Sequence, residues 1–138
     1  MKQSFEEFLQ VYLSIWESSD LEGMKRIISE DYRAREITGE EILDFGFEES
    51  VEGWKNGFEY VVQNNAKWDI SIHSVFPLRN NQVMAVIEAA MIIDKEKLPH
   101  ANLFFSTFSQ SGNEWKLVRS YIEAGVQRQL SPSPGLSS

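Results

Sequence analysis

An imidazole paired with a carboxylate, a tyrosine beside a glutamate, and an aspartate among apolar neighbours are the three constellations in this chain able to do acid-base chemistry. The first follows from a hairpin. If Asn80 and Asn81 form its loop, residues whose numbers sum to 161 pair, so His73 stands opposite Glu88 and Ile72 opposite Ala89. A carboxylate there would hold the imidazole's tautomer and raise its basicity, as a general base requires. The face of His73 also carries Asp69 and Ser71, whereas Trp68, Ile70, Ile72, Phe76, Ile87 and Met91 share the other. The apolar face belongs under helices, so the expectation is a structural couple on the outer or dimer-facing side, with a catalytic dyad as the alternative.

A second hairpin turns at Gly112 and Asn113 and pairs residues summing to 225, which collects Phe104, Phe108, Trp115, Leu117 and Tyr121 with Asn102, Ser106, Arg119 and Glu123. In this register Arg119 faces Ser106, Tyr121 faces Phe104 and Glu123 faces Asn102. An aromatic wall with a few polar groups suits a small-ligand pocket; the alternative is a core face whose strand-end charges reach water. Arg119, buried there, requires an acid, with Glu123 or Glu36 in reach. The third constellation is Arg33, Arg35, Glu36, Asp44 and Glu48. Asp44 sits among Ile42, Leu43, Phe45 and Phe47, where desolvation would raise its pKa toward base duty; solvated loop charge is the alternative. The catalytic candidates are therefore Asp44, Tyr121 and Glu123. Trp16, Trp54, Phe104, Ser106, Arg119, Arg35 and Glu36 are the ligand-binding candidates, and Trp16 and Trp54 with Phe8 and Tyr12 form an aromatic set for a flat ligand or for a core.

Other chemistries have no carriers. The chain has no cysteine and two histidines, His73 and His100, and it lacks a glycine-rich phosphate loop and a Gly-x-Ser-x-Gly elbow, so neither a metal nor a cofactor is expected.

The elements that must position these groups read from the periodicity. Ser4 and Glu7 have capping-box spacing ahead of Phe5, Phe8, Leu9, Tyr12, Ile15 and Trp16, which share one helical face. Ser19 and Glu22 repeat the spacing before a shorter helix through Ile28. Tyr32 to Thr38 reads as a strand, the acidic segment after Gly39 as a loop or broken helix, and Val51 to Val62 as a third helix. In that helix Gly53 and Gly57 would let another backbone approach. From Trp68 onward the period becomes two, giving four long strands in two hairpins. Residues 1–127 then form one domain and residues 128–138, rich in serine and proline, a flexible tail.

With 42% hydrophobic and 12% aromatic residues in 138, the chain can bury a core without staples. The net charge is −8, and residues 1–52 hold 14 of the 21 acids but 5 of the 13 bases. No basic patch exists for nucleic acid or an anionic membrane. The absence of cysteine, of a signal-peptide pattern and of a spanning run points to the cytoplasm.

Helices first and a long meander after them is an α+β pattern. The order of elements, and the last strand Glu114 to Glu123 with its early Trp115, resemble the nuclear-transport-factor-two-like superfamily with its SnoaL-like and ketosteroid-isomerase-like groups. The resemblance, over residues 3–125, implies a strongly curved antiparallel sheet wrapped as a cone around the N-terminal helices, a pocket at the wide end, and homodimers through the outer face. It spans isomerases, cyclases, hydrolases and non-catalytic modules. The reading is a protein that binds a small, largely apolar organic molecule, with acid-base chemistry as one branch; the alternative is a homodimeric interaction module with a filled core. Val75, Val86, Ala90 and Ile92 are expected on the dimer face.

Overall fold

A computed structural model describes residues 3–128; residues 129–138 of the expected tail lie outside the described residues. Three helices, α1 (Phe5–Glu17), α2 (Leu21–Ile27) and α3 (Phe47–Gln63), cover one face of a seven-stranded sheet. The strands are β1 (Ile28–Thr38), β2 (Glu41–Phe45), β3 (Lys67–Pro77), β4 (Gln82–Ile93), β5 (Glu96–Lys97), β6 (His100–Ser111) and β7 (Glu114–Gln127). They run β2-β1-β7-β6-β4-β3, with β5 paired to the end of β4, and every pair is antiparallel except β1 with β7. The sheet curves round the helices without closing, the α+β architecture expected from the sequence.

Local signals account for most boundaries. Ser4 accepts from Glu7 N while Glu7 accepts from Ser4 N, completing the capping box of α1. Asp20, rather than Ser19, caps α2 by accepting from Gly23 N at 3.1 Å, because Ser19 has turned to φ 55°. α3 begins at Phe47, ahead of the expected start, since Glu49 folds back to accept from Gly46 N at 3.1 Å. The acidic segment expected as a loop or broken helix contains β2, pinned to β1 across the turn at Gly39.

Bulges correct both hairpin registers. In the first, the turn holds three residues, Arg79 to Asn81, and a bulge sets His73 and Ser74 together opposite Val86; the two shifts together make Ser71, not His73, the direct partner of Glu88. The longer turn also sets Val75 opposite Ala85, away from the face of Val86, Ala90 and Ile92, and brings exposed Phe76 onto that face opposite Met84. In the second, Val118 and Arg119 stand together opposite Thr107, so Arg119 pairs with Thr107, Tyr121 with Phe105 and Glu123 with Leu103. Up to Leu117 the expected face holds; beyond it the faces exchange.

The packed end of the core lies under the first turns of α1. Phe8 and Tyr12 meet Phe108 edge-on at 5.3 and 5.1 Å, and Trp115 meets Phe5 at 5.2 Å. Full burial of one such ring contributes about 1.5–3 kcal/mol.

The convex face carries a charge network instead. Glu88 is bound by His73 at 2.8 Å and by Arg128 at 3.1 Å, and Arg128 reaches Asp69 at 2.7 Å. Arg128 N also donates to the carbonyl of Pro99, so this residue belongs with the sheet rather than with the tail. The side chains of Arg128 and Glu88 are 6% and 9% exposed, so removing the cation leaves Glu88 to His73 alone and Asp69 to Lys97 at 3.9 Å. Arg128→Met is expected to lower stability by about 3 kcal/mol, against less than about 1 kcal/mol for an exposed pair. Urea unfolding of the variant and wild type decides between them.

Candidate functional site

Between α1, α3 and the concave side of the sheet lies a cavity of about 690 Å³. Its walls are aromatic. Trp16 from α1 stands edge-on to Trp54 of α3 at 4.8 Å and to Phe104 of β6 at 5.1 Å, and Trp68 of β3 lies 6.1 Å from Trp16. Gly53 and Gly57 line the same space from α3. They admit no second backbone: a Cβ on Gly53 would meet nothing within 4 Å, and one on Gly57 only the far edge of Trp68 at 3.9 Å. The missing side chains keep the cavity open along the helix.

A line of hydroxyls crosses the cavity wall. Ser106 of β6 bonds Ser120 of β7 at 3.1 Å, and Tyr32 of β1 shares hydroxyl contacts with Ser120 and with Ser50 in the first turn of α3. All four residues are buried. Burial pushes the Tyr32 phenol up, and the hydroxyls of Ser120 and Ser50 draw it partly back. Tyr12, fully enclosed beside it, is pushed far above the ordinary tyrosine range by loss of solvent. These phenols stay protonated in the folded chain.

The indole of Trp16 differs from its neighbours. Trp68 Nε1 donates to Ser19 Oγ at 3.1 Å and Trp115 Nε1 to the carbonyl of Gln3 at 3.0 Å. Trp16 Nε1, buried in a residue 1% exposed, has no acceptor among the described residues.

Acids occupy the rim, where Glu36, Asp44 and Glu49 line the cavity together with His100, and no lysine or arginine lines it. Asp44 is not a desolvated base. It is exposed, and Arg35 holds it by two bonds of 2.7 and 2.8 Å, which keeps its carboxyl below the usual carboxylate range. Glu36 accepts from Thr38 Oγ1.

The other expected groups divide by sheet face. Trp16, Trp54, Phe104 and Ser106 come together at the cavity, with Glu36 at its edge. Arg119, Tyr121 and Glu123 project from the convex face because of the bulge at Val118. There Tyr121 donates to Glu123 at 2.6 Å, which raises the phenol's pKa, and Arg119 donates to Gln82 rather than to an acid. Arg35 shares that side, and His73 with Glu88 lies there too, away from the cavity. The periodicity missed Tyr32, Ser50 and Ser120 as lining groups, and it took Trp68 for core and the two glycines for a backbone contact. The glycine spacing on α3 was the available signal.

No family profile matches the sequence, and no curated protein does. Solved structures do match, three of them as follows. An NTF2-like protein of unknown function in nutrient uptake from Rhodospirillum rubrum is 17% identical with a TM-score of 0.63, over 88% of this chain and 98% of that one. A protein from Thiobacillus denitrificans, described as a calcium/calmodulin-dependent protein kinase type II association domain, is 13% identical with a TM-score of 0.69 over 90% and 97%. An NTF2-like protein with a cystatin-like fold from Novosphingobium aromaticivorans is 14% identical with a TM-score of 0.64 over 94% and 81%. The likeness shows the fold, which is the nuclear-transport-factor-two-like, cystatin-like one.

Because the raised pKa values of Tyr12 and Tyr32 mean that the folded chain keeps protons the unfolded chain loses, their contribution is present below about pH 10 and lost as pH rises beyond it. In an alkaline titration followed at the tyrosinate band, these two phenols are expected to ionise together with loss of the near-ultraviolet circular dichroism. Four tyrosines ionising while that signal persists would contradict their burial.

Proposed function

We propose that this chain binds one small, flat, largely apolar organic molecule in the cavity between α1, α3 and the concave sheet. The observation that carries this reading is the aromatic-walled space of 690 Å³, which lies within the range of small-molecule sites. A non-catalytic module with a filled core would close that space with its own rings. Here Trp16, Trp54, Trp68 and Phe104 stand round it.

Acid-base catalysis by Asp44, Tyr121 and Glu123 is not part of the proposal, since Arg35 holds Asp44 ionised and the other two leave by the opposite face. The face that carries them supports assembly. Phe76 and Tyr121 are 47% and 41% exposed there, beside half-buried Met84, Val86, Leu103 and Phe105. A second copy covering this face is the proposed partner, in keeping with the association domain among the solved structures. Light scattering is expected to give twice the chain mass at micromolar concentration, and Phe76→Glu with Tyr121→Glu to give the chain mass. A wild-type monomer would remove the dimer from the proposal.

Gly53→Leu tests the cavity directly. Its Cβ has open space, and leucine is favoured over glycine in a helix by about 0.8 kcal/mol, so thermal stability should hold or rise. The longer side chain occupies ligand space. Binding of the neutral fluorescent probe N-phenyl-1-naphthylamine is expected to weaken about tenfold or more. Equal binding by a stable Gly53→Leu chain would place the probe elsewhere and end the cavity reading.

A further inference from the structure

Resting on the dimer reading, we infer that the two copies meet with their β7 strands antiparallel about a two-fold axis at Tyr121, so that Arg119 and Arg33 of each copy face Glu123 of the other. Three observations lead there. Tyr121, Phe105 and Val86 lie abreast across β7, β6 and β4 and form an apolar row on the convex face. Charges bracket that row along β7. Arg119 lies in the row before it, beside Thr107 and Met84, and Glu123 in the row after it, beside Leu103 and Glu88. Parallel pairing with β1 then sets Arg33 directly next to Arg119.

The third observation is that Arg33, Arg119 and Glu123 enter no ion pair among the described residues, whereas Arg35 has Asp44 and Arg128 has Asp69 and Glu88. Arg119 donates to the amide oxygen of Gln82, and Glu123 accepts from the phenol of Tyr121. Two arginines side by side repel, and a carboxylate set between them offsets that cost. Covering the apolar row strips water from all three groups, and a charge covered without a counter-ion is costly. A closed two-fold contact sets residue i against j and j against i. Turning the face about an axis that crosses β7 at Tyr121 carries the Arg119 end of one strand over the Glu123 end of the other, at both ends of the contact. An axis along β7 instead sets Arg119 against Arg119. Facing sheets stack about 10 Å apart, a gap that an arginine and a glutamate reaching from opposite sides can close.

Charge exchange reads this arrangement directly. In sedimentation, Arg119→Glu alone and Glu123→Arg alone are each expected to raise the dimer Kd about tenfold or more, since like charges then face each other at both ends. The double variant should return to within about threefold of wild type. Mixing the two single variants should give a heterodimer, because each chain supplies the charge that the other lacks. Circular dichroism melting checks that each chain folds. Should a reversal fail to fold, Arg119→Gln and Glu123→Gln are expected to weaken the dimer by about threefold each. Single variants that dimerise as the wild type does, or that stay apart on mixing, overturn the inference and leave the dimer standing. Unchanged dimers in which Arg119→Glu abolishes binding of inorganic phosphate give the arginines to a small anion, which also overturns it. A monomeric wild type overturns both.

Discussion

Between Leu117 and Ser120 the last strand carries one residue more than the strand beside it, and the concave surface depends on that insertion. Before the bulge, Trp115 and Leu117 point to the helices; after it, Ser120 and Ile122 do. Strict alternation would have carried Arg119, Tyr121 and Glu123 under α1 and α3 in their place. Two charges there would have cost several kcal/mol each without partners, against the small cost of desolvating a serine already bonded to Ser106. The bulge therefore exchanges ions for hydroxyls on the face that the helices cover. It also sends the ions to the convex side, where Gln82 and water serve them.

The same economy governs the other bulge. His73 and Ser74 share the outward side opposite Val86, so the imidazole reaches Glu88 without crossing the sheet. Arg128 completes that group from the end of β7 and ties it to Asp69 near the far end of the sheet. A charge network thus gathers on the convex face while the inner concave wall keeps neutral polar groups and rings, with acids only at its rim. Where α1 crosses β6 and β7 those rings interlock, and where α3 presents Gly53 and Gly57 they cannot, so a filled core and an open cavity share one surface.

Much of this was legible in the residues. Helix faces, the capping box at Ser4 and the alternation of β6 and of β3 from Trp68 to Ile72 depend on interactions within a few residues, and each follows from them with its side chains on the right surface. Trp16, Trp54, Phe104 and Ser106 were accordingly placed together. The association of His73 with Glu88 also survived, although its register did not. What failed was the part of β7 beyond Leu117 and the part of β3 between its bulge and the turn. Neither Val118 nor Ser74 carries a mark of irregularity, because bulges satisfy the curvature of the whole sheet rather than a local preference. The acidic segment was misread for a related reason. Asp44 among apolar residues suggested desolvation, yet pairing of β2 with β1 set Arg35 directly across from it.

The inner wall of the cavity is built from groups that stay neutral. Its polar groups are serine hydroxyls and two phenols whose burial holds them protonated well beyond neutrality. Carboxyls sit at the rim, and Arg35 holds that of Asp44 below the usual carboxylate range. A wall built in this way offers donors and shape rather than a proton acceptor poised near neutral pH. Selectivity then comes from matching a ligand's polar atoms to donors already in place. The aromatic rings provide the larger and less discriminating share of affinity through the surface they desolvate. A site of this kind distinguishes molecules of one shape by where their polar atoms fall against the hydroxyls of Tyr32, Ser106 and Ser120.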